Sequence, residues 1–257
     1  MRLLVSVANA AEASAALAGG ADVIDAKNPL AGALGAVSVD VLREIHATVA
    51  GARPVTAAIG DAADATEIEC VAGSLAAAGA ALVKVGFAGI TSASRVDMLI
   101  KAAARGARAG SITGPTGVVA VAYADADPVG AFVDVAARAG AIGVLLDTAD
   151  KSGPGLCELM TPAALARWVA EAHEAGLLVA LAGKLTAEDL AFVRDAGADI
   201  AGVRGAACEG GRADRVSADK VAVLRGLCGP ALSGPSPIIR AALTRARPPD
   251  LRQPSQI

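Results

Sequence analysis

Short apolar segments alternate with longer amphipathic segments over most of the chain, and small turns rich in alanine and glycine separate them. The apolar segments are five to seven residues long, which is typical of buried strands, whereas the amphipathic segments have the apolar spacing of helices. The pattern predicts strands at 3–7, 23–27, 54–60, 82–86, 118–123, 142–147, 177–182 and 199–204. It predicts helices at 10–18, 38–49, 65–78, 92–108, 128–138, 161–175, 186–196 and 217–227.

Eight strands, each followed by a helix, are the repeat of a (β/α)₈ barrel. Helical crossovers between consecutive strands make those strands parallel. A doubly wound sheet is the alternative, but it rarely needs eight regular units. We therefore predict a single α/β domain, a (β/α)₈ TIM barrel, over residues 1–228. Residues 229–257 are rich in proline and arginine without a period, and we expect a flexible tail there.

Composition narrows the class of protein. Hydrophobic residues make up 54% of the chain but aromatic residues only 2%, so much of the apolar content is alanine. No apolar run reaches the ~18 residues of a membrane helix, and Glu12 soon interrupts the apolar start, which disfavours a signal peptide. A net charge of −3 without a basic stripe disfavours nucleic acid as a partner.

The cysteines and histidines have no metal-site spacing. Four cysteines lie far apart in the sequence, and both histidines fall inside helical patterns. We therefore expect no metal, and we expect free thiols in a reducing cytoplasm. A homo-oligomer is compatible with the sequence, which does not specify the oligomeric state.

Ionisable residues end several of the apolar strands. Alternation along the second strand puts Asp25 and Lys27 on one face, opposite Ile24 and Ala26. Lys84 lies within the fourth strand, and Asp147 ends the sixth. An unpaired buried charge costs several kcal/mol, so such groups usually pair or take part in chemistry. In a barrel these strand ends converge on one mouth, where active sites lie.

Three lysines are expected at this mouth: Lys27, Lys84 and Lys151. Burial and neighbouring ammonium groups can lower the pKa of a lysine enough for Schiff-base chemistry. In the alternative, structural interpretation each lysine pairs with an acid, Lys27 with Asp25 and Lys151 with Asp147.

The polar residues at the ends of the other strands are candidates for helix caps or for phosphate binding. Asp61 and Asp64 mark the start of the third helix, and Asp61 and Asp125 are expected to cap helices. The loops after the last two strands are candidates for phosphate binding, because these loops often bind phosphate in such barrels. The alternative there is two tight turns. The candidate residues are Gly183, Lys184, Gly202, Arg204, Gly205 and Ala206.

Five motifs in order resemble the (5-formylfuran-3-yl)methyl phosphate synthases, also called 4-(hydroxymethyl)-2-furancarboxaldehyde-phosphate synthases. The resemblance covers residues 3 to about 227, and its first and last motifs are specific. The motifs are Asp25-x-Lys27-Asn28-Pro29-x-x-Gly32-x-Leu34-Gly35-Ala36, Val83-Lys84-Val85-Gly86, Asp147-Thr148-Ala149 with Lys151, Leu181-Ala182-Gly183, and Gly202-Val203-Arg204-Gly205-Ala206-Ala207-Cys208.

The resemblance implies a cofactor-free lyase that condenses two glyceraldehyde 3-phosphate molecules into a furan aldehyde phosphate, releasing phosphate and water. The product supplies the furan ring of methanofuran, a one-carbon carrier. The resemblance also implies that Lys27 forms the Schiff base and that Lys84, Lys151, Asp25 and Asp147 move protons. Two other functions stay open from the sequence: another Schiff-base aldolase acting on a phosphorylated aldehyde, and a catalytically silent subunit of a one-carbon complex.

Overall fold

Eight parallel strands close into a barrel, each paired with its neighbours in chain order and the first paired with the last. The computed structural model describes residues 1–61, 63–112, 114–126 and 131–229. Alternating strands and helices confirm the predicted (β/α)₈ barrel. The proposed Pro- and Arg-rich tail, apart from Gly229, lies outside the described residues.

The strands agree with the predicted segments to within a few residues. They are β1 (Arg2–Val7), β2 (Val23–Ala26), β3 (Val55–Asp61), β4 (Leu82–Gly86), β5 (Gly117–Tyr123), β6 (Gly143–Asp147), β7 (Leu178–Leu181) and β8 (Ile200–Val203).

The helices also follow the predicted order, with one addition. They are α1 (Ala10–Ala18), α2 (Val39–Val49), α3 (Ala65–Ala77), α4 (Ala93–Gly110), α5 (Phe132–Arg138), α6 (Leu156–Leu159), α7 (Pro162–Glu174), α8 (Asp189–Asp195) and α9 (Ala218–Leu227). The short α6 was not predicted, because four residues are too few to show a helical period.

Two predicted helix caps are wrong. Asp64, not Asp61, caps α3, since its carboxylate accepts from the backbone N–H groups of Thr66 and Glu67. Asp61 instead ends β3 and accepts a hydrogen bond from the Tyr123 hydroxyl at 2.7 Å. Asp125 accepts from two backbone N–H groups in the loop after β6, at 2.7 and 2.8 Å.

Alternation along the strands separates two apolar clusters. The face with Ile24, Val83 and Val144 packs under the helices, whereas the face with Leu82 and Leu145 fills the lower barrel interior. Buried polar residues on the interior face lie towards the carboxyl ends of the strands. The barrel therefore has an apolar floor beneath a polar layer.

Helices α3 and α4 pack with their backbones in contact. A Cβ atom on Gly106 would lie 1.9 Å from the Glu69 carbonyl oxygen, and one on Gly110 would lie 2.0 Å from the Gly73 carbonyl oxygen. No side chain fits at such distances, so glycine is required at these two positions of α4.

Candidate active site

A cavity of about 540 Å³ opens at the carboxyl ends of the strands. Of its lining residues, six are basic and two are acidic. The cavity therefore favours an anionic ligand. The basic residues are Lys27, Lys84, Lys151, Lys184, Arg204 and Arg212, and the acidic ones are Asp25 and Asp147.

Asp25 is fully buried at the centre of one hydrogen-bonded group. Its Oδ1 lies 2.6 Å from the Lys84 Nζ and accepts from the Thr56 hydroxyl at 2.7 Å. Its Oδ2 accepts from the Ser6 hydroxyl at 2.9 Å. Strand register explains this grouping, because Asp25 pairs with Ser6 on β1 and with Thr56 on β3. The carboxylate has a partner on each oxygen and is held rigidly.

Asp147 organises a second group around β6. Its Oδ1 lies 2.6 Å from the Lys151 Nζ and accepts from the Thr148 backbone N–H at 2.8 Å. Lys151 also donates to the Thr148 carbonyl oxygen at 2.5 Å. Burial raises the pKa of Asp147, but Lys27, Lys151 and the hydrogen bonds outweigh burial and hold it below its ordinary value. Asp147 is therefore an ionised carboxylate at neutral pH.

Lys27 lies between these two groups. Its nearest ion-pair contact is the Asp147 Oδ2, at 4.0 Å from the amine nitrogen. The pKa of Lys27 is lowered from 10.5 to about 8, because burial, together with the charges of Lys84 and Lys151, outweighs the opposing charges of Asp147 and Asp25. Roughly a tenth of the amine is therefore neutral at pH 7, against about one part in three thousand at the ordinary pKa.

The structural pairing of the lysines differs in part from the sequence-based interpretation. Lys151 pairs with Asp147 as expected. Asp25, however, pairs with Lys84, because β2 and β4 are alternate strands of the barrel and interior side chains of alternate strands share a layer. The Lys27 amine has its ion-pair contact with Asp147, at 4.0 Å, and not with Asp25.

The strand 7 loop brings Gly183 and Lys184 to the mouth. Gly183 has φ 103°, and a Cβ there would lie 3.0 Å from the Thr148 side chain, so glycine allows the loop to pack beside Asp147. Lys184 has a left-handed backbone with φ 59°, and its amine donates to the Gly153 carbonyl. Lys184 is exposed and has no carboxylate partner among the described residues.

The Arg204 guanidinium forms its hydrogen bonds with groups of the protein. Its side chain is buried against Glu12, with which it forms a two-point ion pair. Its other N–H groups donate to the carbonyl oxygens of Ser6, Arg212 and Asp214 at 3.0, 2.9 and 2.9 Å. All five donors of the guanidinium are thus in use. In this structure the Arg204 side chain thus binds groups of the protein itself.

Sequence reasoning missed three polar groups that line the site. Ser6 and Thr56 occupy interior positions of β1 and β3, two residues after Leu4 and one after Val55, so strict alternation could have indicated them. Arg212 lies in the loop after β8, where no period exists to place it.

Two features are absent from the part of the chain that the structure describes. None of the helices there is long and apolar enough to cross a membrane. That same part of the chain contains no group of three or more histidine, cysteine, aspartate or glutamate residues able to hold a metal ion.

Solved structures of other enzymes share the fold. A 3-hexulose-6-phosphate synthase superposes with a TM-score of 0.60 and 23% identity, covering 88% of this chain and 99% of that one. A phosphoribosyl anthranilate isomerase from Thermus thermophilus gives a TM-score of 0.62 at 16% identity, covering 88% of this chain and 98% of that one. At these identities the likeness shows the barrel alone.

Sequence comparison identifies the family. A protein from Methanopyrus kandleri named (5-formylfuran-3-yl)methyl phosphate synthase is 43% identical to this chain, over 83% of this chain and 92% of the relative. The protein of that name from Methanocaldococcus jannaschii is 38% identical, over 89% of this chain and all of the relative. Residues 3–225 match the model of the 4-HFC-P synthase family. The chain is therefore an enzyme of the 4-HFC-P synthase family, as the five motifs predicted.

Proposed function

We propose that the enzyme condenses two molecules of glyceraldehyde 3-phosphate into 4-(hydroxymethyl)-2-furancarboxaldehyde phosphate through a Schiff base on Lys27. One observation carries this proposal. Among Lys27, Lys84 and Lys151, only Lys27 has no carboxylate oxygen of the described residues within hydrogen-bonding distance, and its pKa is lowered to about 8, with burial as the largest cause. It is the amine of the three that is best prepared to attack an aldehyde.

Imine formation on Lys27 needs proton transfers that its neighbours can perform. The neutral amine adds to the aldehyde carbon, and the carbinolamine then loses water, which requires protonation of its hydroxyl. The Lys151 ammonium and the Asp147 carboxylate lie on the side of the cavity that faces Lys27. We assign dehydration and later eliminations to this pair, since it holds both a proton donor and an acceptor.

The second group, Asp25 with Lys84, serves carbon–carbon bond formation in this proposal. Joining the two trioses needs removal of a proton next to the imine. The buried Lys84–Asp25 pair at 2.6 Å can pass a proton between its members without exposing either charge to solvent. Ser6 and Thr56 keep the Asp25 carboxylate in place during that exchange.

The substrate phosphates lie at the strand 7 and strand 8 loops in this proposal. Gly183, Lys184, Gly202, Gly205 and Ala206 line that side of the cavity. Backbone N–H groups and the Lys184 amine can stabilise the charge of a departing phosphate. Arg204 contributes by positioning the loop, since its donors hold the carbonyl groups of Arg212 and Asp214.

The overall reaction balances with the loss of one phosphate and two waters from two triose phosphates. The product supplies the furan ring of methanofuran. Because a phosphorylated triose does not cross a bilayer freely, we place the reaction in the cytoplasm. The oligomeric state stays a prediction that a sizing experiment can address.

The test is incubation of the purified enzyme with glyceraldehyde 3-phosphate, followed by detection of an ultraviolet-absorbing furan and of released phosphate. Borohydride added with substrate should fix one adduct on Lys27, which peptide mass spectrometry locates. Lys27→Arg keeps the positive charge but has no nucleophilic amine, so it should fold and show neither adduct nor product.

Each alternative has its own result. An adduct without furan would indicate a different Schiff-base aldolase. Binding without adduct or turnover would indicate a silent subunit. An adduct on Lys84 or Lys151 would contradict the assignment of the nucleophile.

A further inference from the structure

Arg212 and Lys184 are the two basic residues of the cavity that form no ion pair with a carboxylate of the described residues. Lys184 is exposed, whereas Arg212 is half-buried. Arg204 pairs with Glu12, Lys84 with Asp25, and Lys151 with Asp147. Within the described residues, the Arg212 guanidinium donates only to two neutral carbonyl oxygens, those of Pro29 at 2.8 Å and Gly32 at 3.2 Å. Its positive charge therefore has no carboxylate partner in the described part of the chain.

The hydrogen bonds of Arg212 also fix where this charge lies. Nη2 donates both of these hydrogen bonds, and among the described residues no acceptor meets Nη1 or Nε. The Nη2 contacts tie the guanidinium to the loop after β2, which carries Lys27 at its start. The residue is half-buried and lines the cavity, so the remaining donors are accessible to a ligand there.

The protein also holds the backbone of Arg212 in position. The Nε of Arg204 donates to the Arg212 carbonyl at 2.9 Å, and Arg204 is itself fixed by Glu12. A guanidinium anchored at both its backbone and one nitrogen loses little freedom when it binds a second group. Planar guanidinium donors match the oxygens of a phosphate in a two-point contact.

We propose that Arg212 binds the phosphate group of a substrate aldehyde and determines the preference of the enzyme for phosphorylated over unphosphorylated aldehydes. This inference deepens the proposed function and rests on it. It predicts that one phosphate lies between the strand 8 loop and the strand 2 loop, with its aldehyde directed into the cavity towards Lys27. Phosphate recognition and the Lys27 loop are thereby connected through one side chain.

The experiment compares two aldehydes in borohydride trapping: glyceraldehyde 3-phosphate and D-glyceraldehyde, which lacks the phosphate. Arg212→Gln removes the charge, Arg212→Lys keeps a charge without the planar two-point contact, and Arg215→Gln is the matched control. Arg215 lies in the same loop but is exposed and pairs with Glu209.

Arg212→Gln should lower the second-order rate constant for trapping of glyceraldehyde 3-phosphate by about 10- to 100-fold, the usual effect of losing a charged hydrogen bond. Trapping of D-glyceraldehyde should stay within about threefold. Arg212→Lys should be intermediate for the phosphorylated aldehyde, and Arg215→Gln should behave like the wild type with both.

An equal loss with both aldehydes would show that Arg212 only shapes the loop, and no loss with either would show that it does not contact phosphate. If Arg212→Gln unfolds, Arg212→Lys decides between these outcomes. If the wild type traps neither aldehyde, the Lys27 imine is wrong, and calorimetry with inorganic phosphate tests Arg212 alone. Binding at least tenfold weaker in Arg212→Gln would support the proposal, and equal binding would overturn it.

Discussion

Replacing Asp147 with asparagine should separate imine formation from turnover. The Asp147 Oδ2 lies 4.0 Å from the Lys27 amine, and its charge raises the pKa of that lysine. Asparagine has almost the same shape and keeps an oxygen for Lys151 and the Thr148 N–H, but it carries no charge. The pKa of Lys27 should therefore fall in the variant.

The size of this fall follows from the distance. Two unit charges 4.0 Å apart interact by about 4 kcal/mol at an effective dielectric constant of about 20. Lys151 lies closer to the same carboxylate, at 2.6 Å, and its positive charge partly offsets the effect of that carboxylate on the pKa of Lys27. About 1.4 kcal/mol is enough to bring the Lys27 pKa from about 8 to about 7. The neutral fraction at pH 7 then rises from roughly a tenth to roughly a half.

The assay is the rate of borohydride trapping on Lys27 between pH 6 and pH 9, alongside furan formation. Because only the neutral amine attacks, trapping by the wild type should rise with pH through a midpoint near 8. Asp147→Asn should rise through a midpoint near pH 7, trap at least as fast at neutral pH, and lose about 100-fold or more in turnover.

The matched control is Asp150→Asn, since Asp150 is an exposed carboxylate in the same loop whose side chain accepts from Ser152. It should leave both the midpoint and turnover close to the wild type. A midpoint that stays near pH 8 or moves upward in Asp147→Asn would refute the electrostatic reasoning. Loss of trapping together with turnover would assign Asp147 to binding or to imine formation itself.

Three further predictions concern stability and the tail. Lys84→Met should lower the free energy of unfolding in urea by about 3 kcal/mol or more, because it leaves the buried Asp25 carboxylate without its ion-pair partner. Lys101→Met, at an exposed position, should lower it by less than about 1 kcal/mol. Equal effects would contradict the buried pair. Gly106→Ala should lower the midpoint of thermal unfolding, since its Cβ would lie 1.9 Å from a carbonyl oxygen of α3. Gly226→Ala in α9 has open space around its Cβ and should be neutral or stabilising. The reverse order would contradict the close helix contact. A chain ending at Cys228 should keep its fold and turn over within a few-fold of the full chain, and loss of activity or solubility would show that the tail contributes to the barrel or to an assembly.

The sequence was sufficient for the barrel and for most of the charged centre, for a physical reason. Parallel strands buried on both sides are short apolar runs, and their interior positions alternate, so an ionisable residue such as Asp25 or Lys84 stands out. The barrel then brings the strand ends together whatever the loops do. These residues could be grouped without knowing any distance.

Sequence-based prediction failed for side chains whose hydrogen-bond partners lie far away in sequence. Asp61 and Asp64 both precede the third helix, but Asp61 accepts from the Tyr123 hydroxyl and the Ala88 backbone N–H, two groups distant in sequence. The ion pair of Arg204 with Glu12 was not predicted, because the two residues lie 192 positions apart in sequence. Arg212 lies in a loop, where side-chain direction depends on the neighbouring loop and no pattern records it.

The contact between Arg204 and Glu12 has a consequence for the order of folding during synthesis. This ion pair and the pairing of β1 with β8 join the first and last units of the barrel. At roughly 5–20 residues per second, about 10–40 s separate the appearance of the two strands from the ribosome. Throughout that interval β1 has one unpaired edge, a surface that favours wrong strand pairing. Mutations at this junction should therefore reduce the yield of folded protein in cells more than they reduce the activity of the molecules that do fold.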